Sequence, residues 1–132
     1  MKPNDFSDIK VLIIEDVTFI SGLIRRILRT LQISDVWEAA DGSEALQMLA
    51  GPFHPHLIIC DVRMEPMDGL TFLGRLRASS DAERARLPVI MLTSVTEEGT
   101  VRDTKGLGVS GYLLKPVSPK QLSDRVKAIF GL

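Results

Sequence analysis

Three stretches of this chain run apolar residue after apolar residue with no alternation: "VLII" at 11–14, "LIIC" at 57–60 and "VIML" at 89–92. A strand with one face in water alternates polar and apolar positions, whereas a strand buried on both faces does not. Short runs of this kind, rich in β-branched residues, predict central strands of a parallel sheet covered by helices on each side. The fuller segments are "KVLIIED" (10–16), "HLIIC" (56–60) and "PVIMLTS" (88–94), with two weaker strands in "DVWEAA" (35–40) and "GYLLK" (111–115).

Between the strands the period becomes that of a helix. Ile20, Leu23, Ile24, Ile27, Leu28 and Leu31 recur at three- and four-residue steps, with Arg25, Arg26 and Arg29 mostly outside that stripe. "DGSEALQMLAG" (41–51) predicts a second helix, closed by Gly51 and Pro52. "GLTFLGRLRAS" (69–79) predicts a third, with Leu70, Leu73 and Leu76 inward and Phe72 near the edge of that face. Residues 97–107 predict a weak fourth. Leu122, Val126, Ile129 and Phe130 stripe a closing helix, with Ser118 as its N-cap and Pro119 at its first position. Strand and helix alternate five times, which predicts a three-layer α/β sandwich with right-handed crossovers.

At 132 residues, 45% of them apolar, the chain is long enough for one packed domain. It is read as a single domain, 1–132, with its core in 9–131. Sixteen basic residues against seventeen acidic ones leave a net charge of −1, no bulk electrostatic reason to bind nucleic acid or an anionic membrane. Cys60 is the only cysteine, so no internal disulfide is possible and a cytoplasmic setting is expected. No apolar run approaches the roughly 20 residues of a membrane span, and "MKPNDFSD" lacks the apolar stretch of a signal peptide. His54 and His56 flank Pro55 with no clear third ligand near them, so no metal site is expected there. Trp37 reads as a surface aromatic.

The chemistry gathers where the strands end. Glu15 and Asp16 follow the first, Asp61 the third, Thr93 and Ser94 close the fourth, and Lys115 the fifth. In open α/β sheets functional groups collect beyond the carboxyl ends of the strands. Clustered carboxylates repel one another in a partly desolvated cleft. A hard divalent cation and the ammonium of Lys115 would both relieve that repulsion. Oxygen ligands of this kind suit Mg²⁺, with Mn²⁺ as a possible substitute. A metal and a lysine beside a carboxylate also suit phosphoryl transfer, with the carboxylate as nucleophile.

On these residues the chain resembles a response-regulator receiver domain of two-component signalling. The matching pieces are "IIED" (13–16), Asp61 with Met64 and "MDG" (67–69), "LTS" (92–94) and "GYLLKP" (111–116). The resemblance implies a flavodoxin-like fold with strand order 2-1-3-4-5. It implies that Asp61 is the phosphoacceptor, and that Asp16 and Asp61 hold Mg²⁺. Glu15 would act through metal-bound water, and the Arg63 carbonyl would be a further ligand. Thr93 would donate its hydroxyl to a phosphoryl oxygen, Lys115 would pair with the phosphoryl group, and the bond to Pro116 would be cis. Tyr112 would swing inward when Thr93 moves. Receivers often carry Pro four residues after the acceptor; here Glu65 stands there, with Pro66 next.

The function expected is therefore a stand-alone, phosphorylation-controlled switch rather than an enzyme acting on other molecules. Its donor would be a sensor histidine kinase or a phosphotransfer protein, and its target a protein reached through residues 94–112. No nucleic acid or membrane is expected as a partner. Arg63 and Val95 should flank the path of an attacking water; neither side chain can act as a base, which predicts slow self-hydrolysis. A receiver cut from a longer chain is one alternative. An aspartyl-nucleophile phosphohydrolase is the other, and Arg63 argues against it, because such enzymes typically place a second Asp there.

Overall fold

Each apolar run becomes a parallel strand. A computed structural model describes residues 3–94 and 98–132. The strands are β1 Lys10–Ile14, β2 Asp35–Ala39, β3 Leu57–Asp61, β4 Val89–Thr93 and β5 Gly111–Leu114. They form one sheet in the order β2-β1-β3-β4-β5, and every neighbouring pair is parallel. The flavodoxin-like order expected above is the order found.

The helices are α1 Thr18–Thr30, α2 Gly42–Ala50, α3 Gly69–Arg77, a one-turn α4 Ala82–Ala85, α5 Glu98–Thr104 and α6 Pro119–Phe130. Residues on alternate positions of the strands feed two separate cores, as period-2 geometry requires. Val11, Ile13, Ile59, Ile90 and Leu92 pack under α1 and α6. Leu12, Ile14, Ile58, Cys60 and Met91 pack on the other face, under α2 and α3. β1, β3 and β4 are therefore buried on both sides, which is why their sequences carry no alternation. Cys60 is wholly buried, and burial pushes its thiol well above the usual range; it serves as a small core residue.

Side-chain caps start α2, α3 and α6, the last at Ser118 as the sequence predicts. Asp41 accepts the Ser43 and Glu44 amides at the head of α2, Asp68 the Thr71 amide at α3, and Ser118 the Gln121 amide at α6, followed by Pro119. Three features differ from the sequence reading. Phe72 is fully buried while Leu70 is only partly so. The inward face of α3 is Gly69, Phe72, Leu73 and Leu76, the i, i+3, i+4, i+7 set, and burying a phenyl ring is worth about 1.5–3 kcal/mol. The loop before β4 holds the extra turn α4, capped by Asp81. The fourth helix expected over 97–107 is α-helical only at Glu98–Thr104, then tightens to a 3-10 turn at Lys105–Leu107 and ends at Gly108 with φ of +69°.

Arg77, on the last turn of α3, clasps that region. Its guanidinium donates to the Leu107 carbonyl at 2.6 Å, to Ala85 at 3.1 Å, to Leu87 at 2.8 Å and to Gly108 at 3.2 Å. One side chain thus ties α3 to α4 and to the turn leading into β5. At the opposite end of the sheet, His56 Nδ1 accepts the Lys10 amide at 2.9 Å. Burial and the nearby Lys10 charge hold its imidazole below the usual range, so it is a structural acceptor. Trp37 is half exposed on edge strand β2, its ring 5.1 Å from that of Phe53 and its indole N–H donating to Asp35. No helix among the described residues is long and apolar enough to cross a membrane.

Removing the Arg77 clasp takes the donor from four carbonyls, three of them part-buried. Arg77→Met should lower the unfolding free energy by about 2 kcal/mol. Arg75→Met, an exposed position on the same helix, should stay within about 0.5 kcal/mol. Urea denaturation of both variants measures the difference, and equal small losses would show that the clasp carries no stability.

Candidate functional site

The sheet order brings β1, β3, β4 and β5 side by side, and their carboxyl ends form one cleft. Backbone bonds continue past the strands and fix the residues there. The Glu15 amide donates to Ala39 at 3.0 Å, Val62 to Leu92 at 3.1 Å, and Lys115 to Thr93 at 2.8 Å. Asp61 is the last residue of β3, opposite Leu92. The Lys115–Pro116 bond is cis, as expected; the Glu65–Pro66 bond in the loop after Asp61 is cis as well.

Glu15, Asp16 and Asp61 come together, with one oxygen from each lying within 4.8 Å of the others. Among the described residues no other group of three or more His, Cys, Asp or Glu could hold a metal in this way. Glu15 and Asp61 are buried, whereas Asp16 is exposed at the rim. Lys115 Nζ lies 2.7 Å from Asp61 Oδ1 and 3.8 Å from Glu15 Oε1. Both Glu15 oxygens are buried with no hydrogen-bond partner among the described residues. Burial, with the Asp61 carboxylate adding to it and Lys115 opposing, raises Glu15 from 4.5 to about 8. Lys115 therefore reaches two of the three acids. Three carboxylates, one of them with both oxygens buried and unpartnered among the described residues, are a donor set that a hard cation fits.

Thr93 is buried at the end of β4, its hydroxyl donating to the Ser94 carbonyl at 3.2 Å. Arg63 is exposed on the loop after Asp61. Val95 lies outside the described residues, as does part of the 94–112 surface. The Tyr112 hydroxyl is 2.6 Å from that of Thr104, and its half-buried ring packs against the core under α2 and α3. The sequence reading did not single out Thr104, which lies three residues after Val101 and three before Leu107.

Gly69 explains why "DG" opens α3. A methyl group there would lie 2.3 Å from the Asp61 carbonyl oxygen and 3.1 Å from Val62 Cα. The Gly69 amide donates to Val62 at 2.8 Å. Only a residue without Cβ lets the helix start directly against the strand end that presents Asp61.

Residues 11–127 match the family model described as response regulator receiver domain. The chain is 32% identical to chemotaxis protein CheY-3 of Vibrio cholerae over 124 residues, 93% of this chain and 92% of that protein. It is 38% identical to a probable transcriptional regulator, ycf27, of Porphyridium aerugineum, spanning 91% of this chain but 47% of that protein. A crystal structure of a putative response regulator from Chloroflexus aurantiacus superposes with a TM-score of 0.81 at 32% identity, covering 93% of this chain and 98% of that one. The receiver domain of a Pseudomonas aeruginosa sensor histidine kinase, with magnesium coordinated in its active-site cleft, gives 0.79 at 27%, covering 93% and 98%.

The raised Glu15 has a measurable consequence in cation-free protein. Because its folded value lies above its unfolded one, the folded state keeps a proton that the unfolded state releases. Stability from this group is complete below about pH 4.5 and is lost as pH rises through about 8. With a chelator present, Glu15→Gln should therefore gain thermal stability over wild type progressively across that window. A difference that does not change with pH would contradict the assignment.

Proposed function

Because the chain belongs to the response-regulator receiver family, a family of signalling proteins, we propose that Asp61 accepts a phosphoryl group and that phosphorylation changes what this protein binds. The observation that carries the reading is the Lys115–Asp61 ion pair of 2.7 Å inside a cluster of three carboxylates. An Asp61 oxygen attacks phosphorus, forming a P–O bond as the P–N bond to the donor histidine breaks, and the leaving imidazole keeps that electron pair. Lys115 balances charge on the phosphoryl oxygens, and the Thr93 hydroxyl turns from Ser94 to donate to one of them.

Asp16 and Asp61 are the proposed ligands of Mg²⁺ or Mn²⁺, with Glu15 through water and the Arg63 carbonyl. The cation supplies charge neutralisation at the phosphoryl oxygens. The proposed donor is a sensor histidine kinase or a phosphotransfer protein, and the proposed target a protein that reads the 94–112 surface. The cytoplasm is the proposed setting, supported by the absence of any cysteine beyond buried Cys60.

Incubation with Mg²⁺ and a small phosphodonor should add one phosphoryl group to the wild-type chain and none to Asp61→Asn, read by intact mass. Continuous release of phosphate over many turnovers would favour the phosphohydrolase instead. Asp16→Asn should weaken Mg²⁺ binding at least about tenfold; unchanged affinity in a titration would remove Asp16 from the ligand set.

The lifetime of the adduct is proposed to depend on Arg63, whose side chain donates but cannot serve as a base. Arg63→Asn should speed dephosphorylation. An unchanged rate would mean that Arg63 does not guard the phosphoryl group.

A further inference from the structure

We infer that Thr104 is a positioning residue that holds Tyr112 at rest and so sets how readily the Asp61 site accepts a phosphoryl group. The inference rests on the switch proposed above and names the residue opposing it. Thr104 is 1% exposed, and its hydroxyl meets that of Tyr112 at 2.6 Å. Tyr112 rides on β5 opposite Met91, and two residues further on Leu114 lies opposite Thr93. Any shift of β4 and β5 around Thr93 and Lys115 thus reaches the tyrosine ring directly.

Thr104 cannot simply follow that ring. The turn just after it is held through the Leu107 and Gly108 carbonyls by Arg77, which is anchored in α3. Displacing Tyr112 therefore breaks the hydroxyl pair. Thr104 stands at the end of α5 and is buried, so the bond it shares with Tyr112 is made away from bulk solvent. The resting position is favoured by roughly threefold to tenfold on this account. A purely structural Thr104 would support α5 without biasing Tyr112, and the test separates the two.

Tyr112 is the only tyrosine in the chain, so a ¹³C-tyrosine label gives one ring signal whose position reports its place. Wild type, Thr104→Val, Thr104→Ser, Tyr112→Phe and the Thr104→Val/Tyr112→Phe double variant are titrated with beryllofluoride, a phosphoryl mimic, in the presence of Mg²⁺. Thr104→Val should bind it about three- to tenfold more tightly than wild type. Its unliganded ring signal should move toward the bound wild-type position, while Thr104→Ser, which keeps the hydroxyl, should match wild type. In the Tyr112→Phe background Thr104→Val should add nothing. Should Thr104→Val fail to fold, Tyr112→Phe removes the same bond from its other end and should show the same gain in affinity. Unchanged affinity and an unmoved ring signal, or full additivity in the double variant, would overturn the inference alone. Failure of wild type itself to bind beryllofluoride would overturn the proposed switch and this inference with it.

Discussion

Everything at the functional end of this molecule depends on an electrostatic conflict that the fold creates and only partly resolves. Glu15, Asp16 and Asp61 are brought within a few ångströms of one another, with the ammonium of Lys115 beside Glu15 and Asp61. Two buried carboxylates beside one lysine leave negative charge uncompensated, and Glu15 answers by holding a proton more tightly than a free glutamate does. Such a site suits a ligand that brings positive charge. The scaffold tolerates the conflict because the strands beneath it are among the most deeply buried in the protein.

That scaffold is uneven in strength. β1, β3 and β4 are sealed on both faces by large aliphatic side chains, and α1 and α6 lie along one face as long, well-striped helices. The stretch from Thr93 to β5 is held differently. It contains a helix of seven residues, a 3-10 turn and a left-handed glycine, and two polar fastenings stand out in it: the Thr104–Tyr112 pair and the Arg77 clasp. Directional bonds of this kind have alternatives of similar energy, whereas an aliphatic core repacks only at a large cost. The switch proposed for Asp61 would need softness beside that aspartate, and the softer segment meets it at Thr93.

The sequence carried the architecture far because architecture follows from periodicity. Unbroken runs such as "LIIC" and "VIML" demand burial on two faces, and the three- and four-residue steps of α1 and α6 demand one buried stripe. The acids and the lysine at the strand ends were legible for the same reason: in a parallel sheet, the ends of strands that are distant in the chain converge on one rim. Phe72 was misjudged because Leu70 and Phe72 both lie near the border of the α3 stripe. What settled it was close packing around the ring: a methyl group at Gly42 would lie 2.8 Å from Phe72 Cβ.

By itself, then, the sequence determined the class of fold, the order of its elements and which charged side chains would meet, since those depend on local hydrophobic pattern and on strand direction. The tertiary structure decided what those side chains would feel. The proton on Glu15 depends on burial by residues from other strands. The need for glycine at 69 depends on a helix crossing a strand end. The roles of Arg77 and Thr104 depend on carbonyls and a hydroxyl that lie 8 to 31 residues away along the chain. No local periodicity encodes such a contact, because a hydrogen bond requires its two atoms to be in the same place and the packing of the whole sheet puts them there.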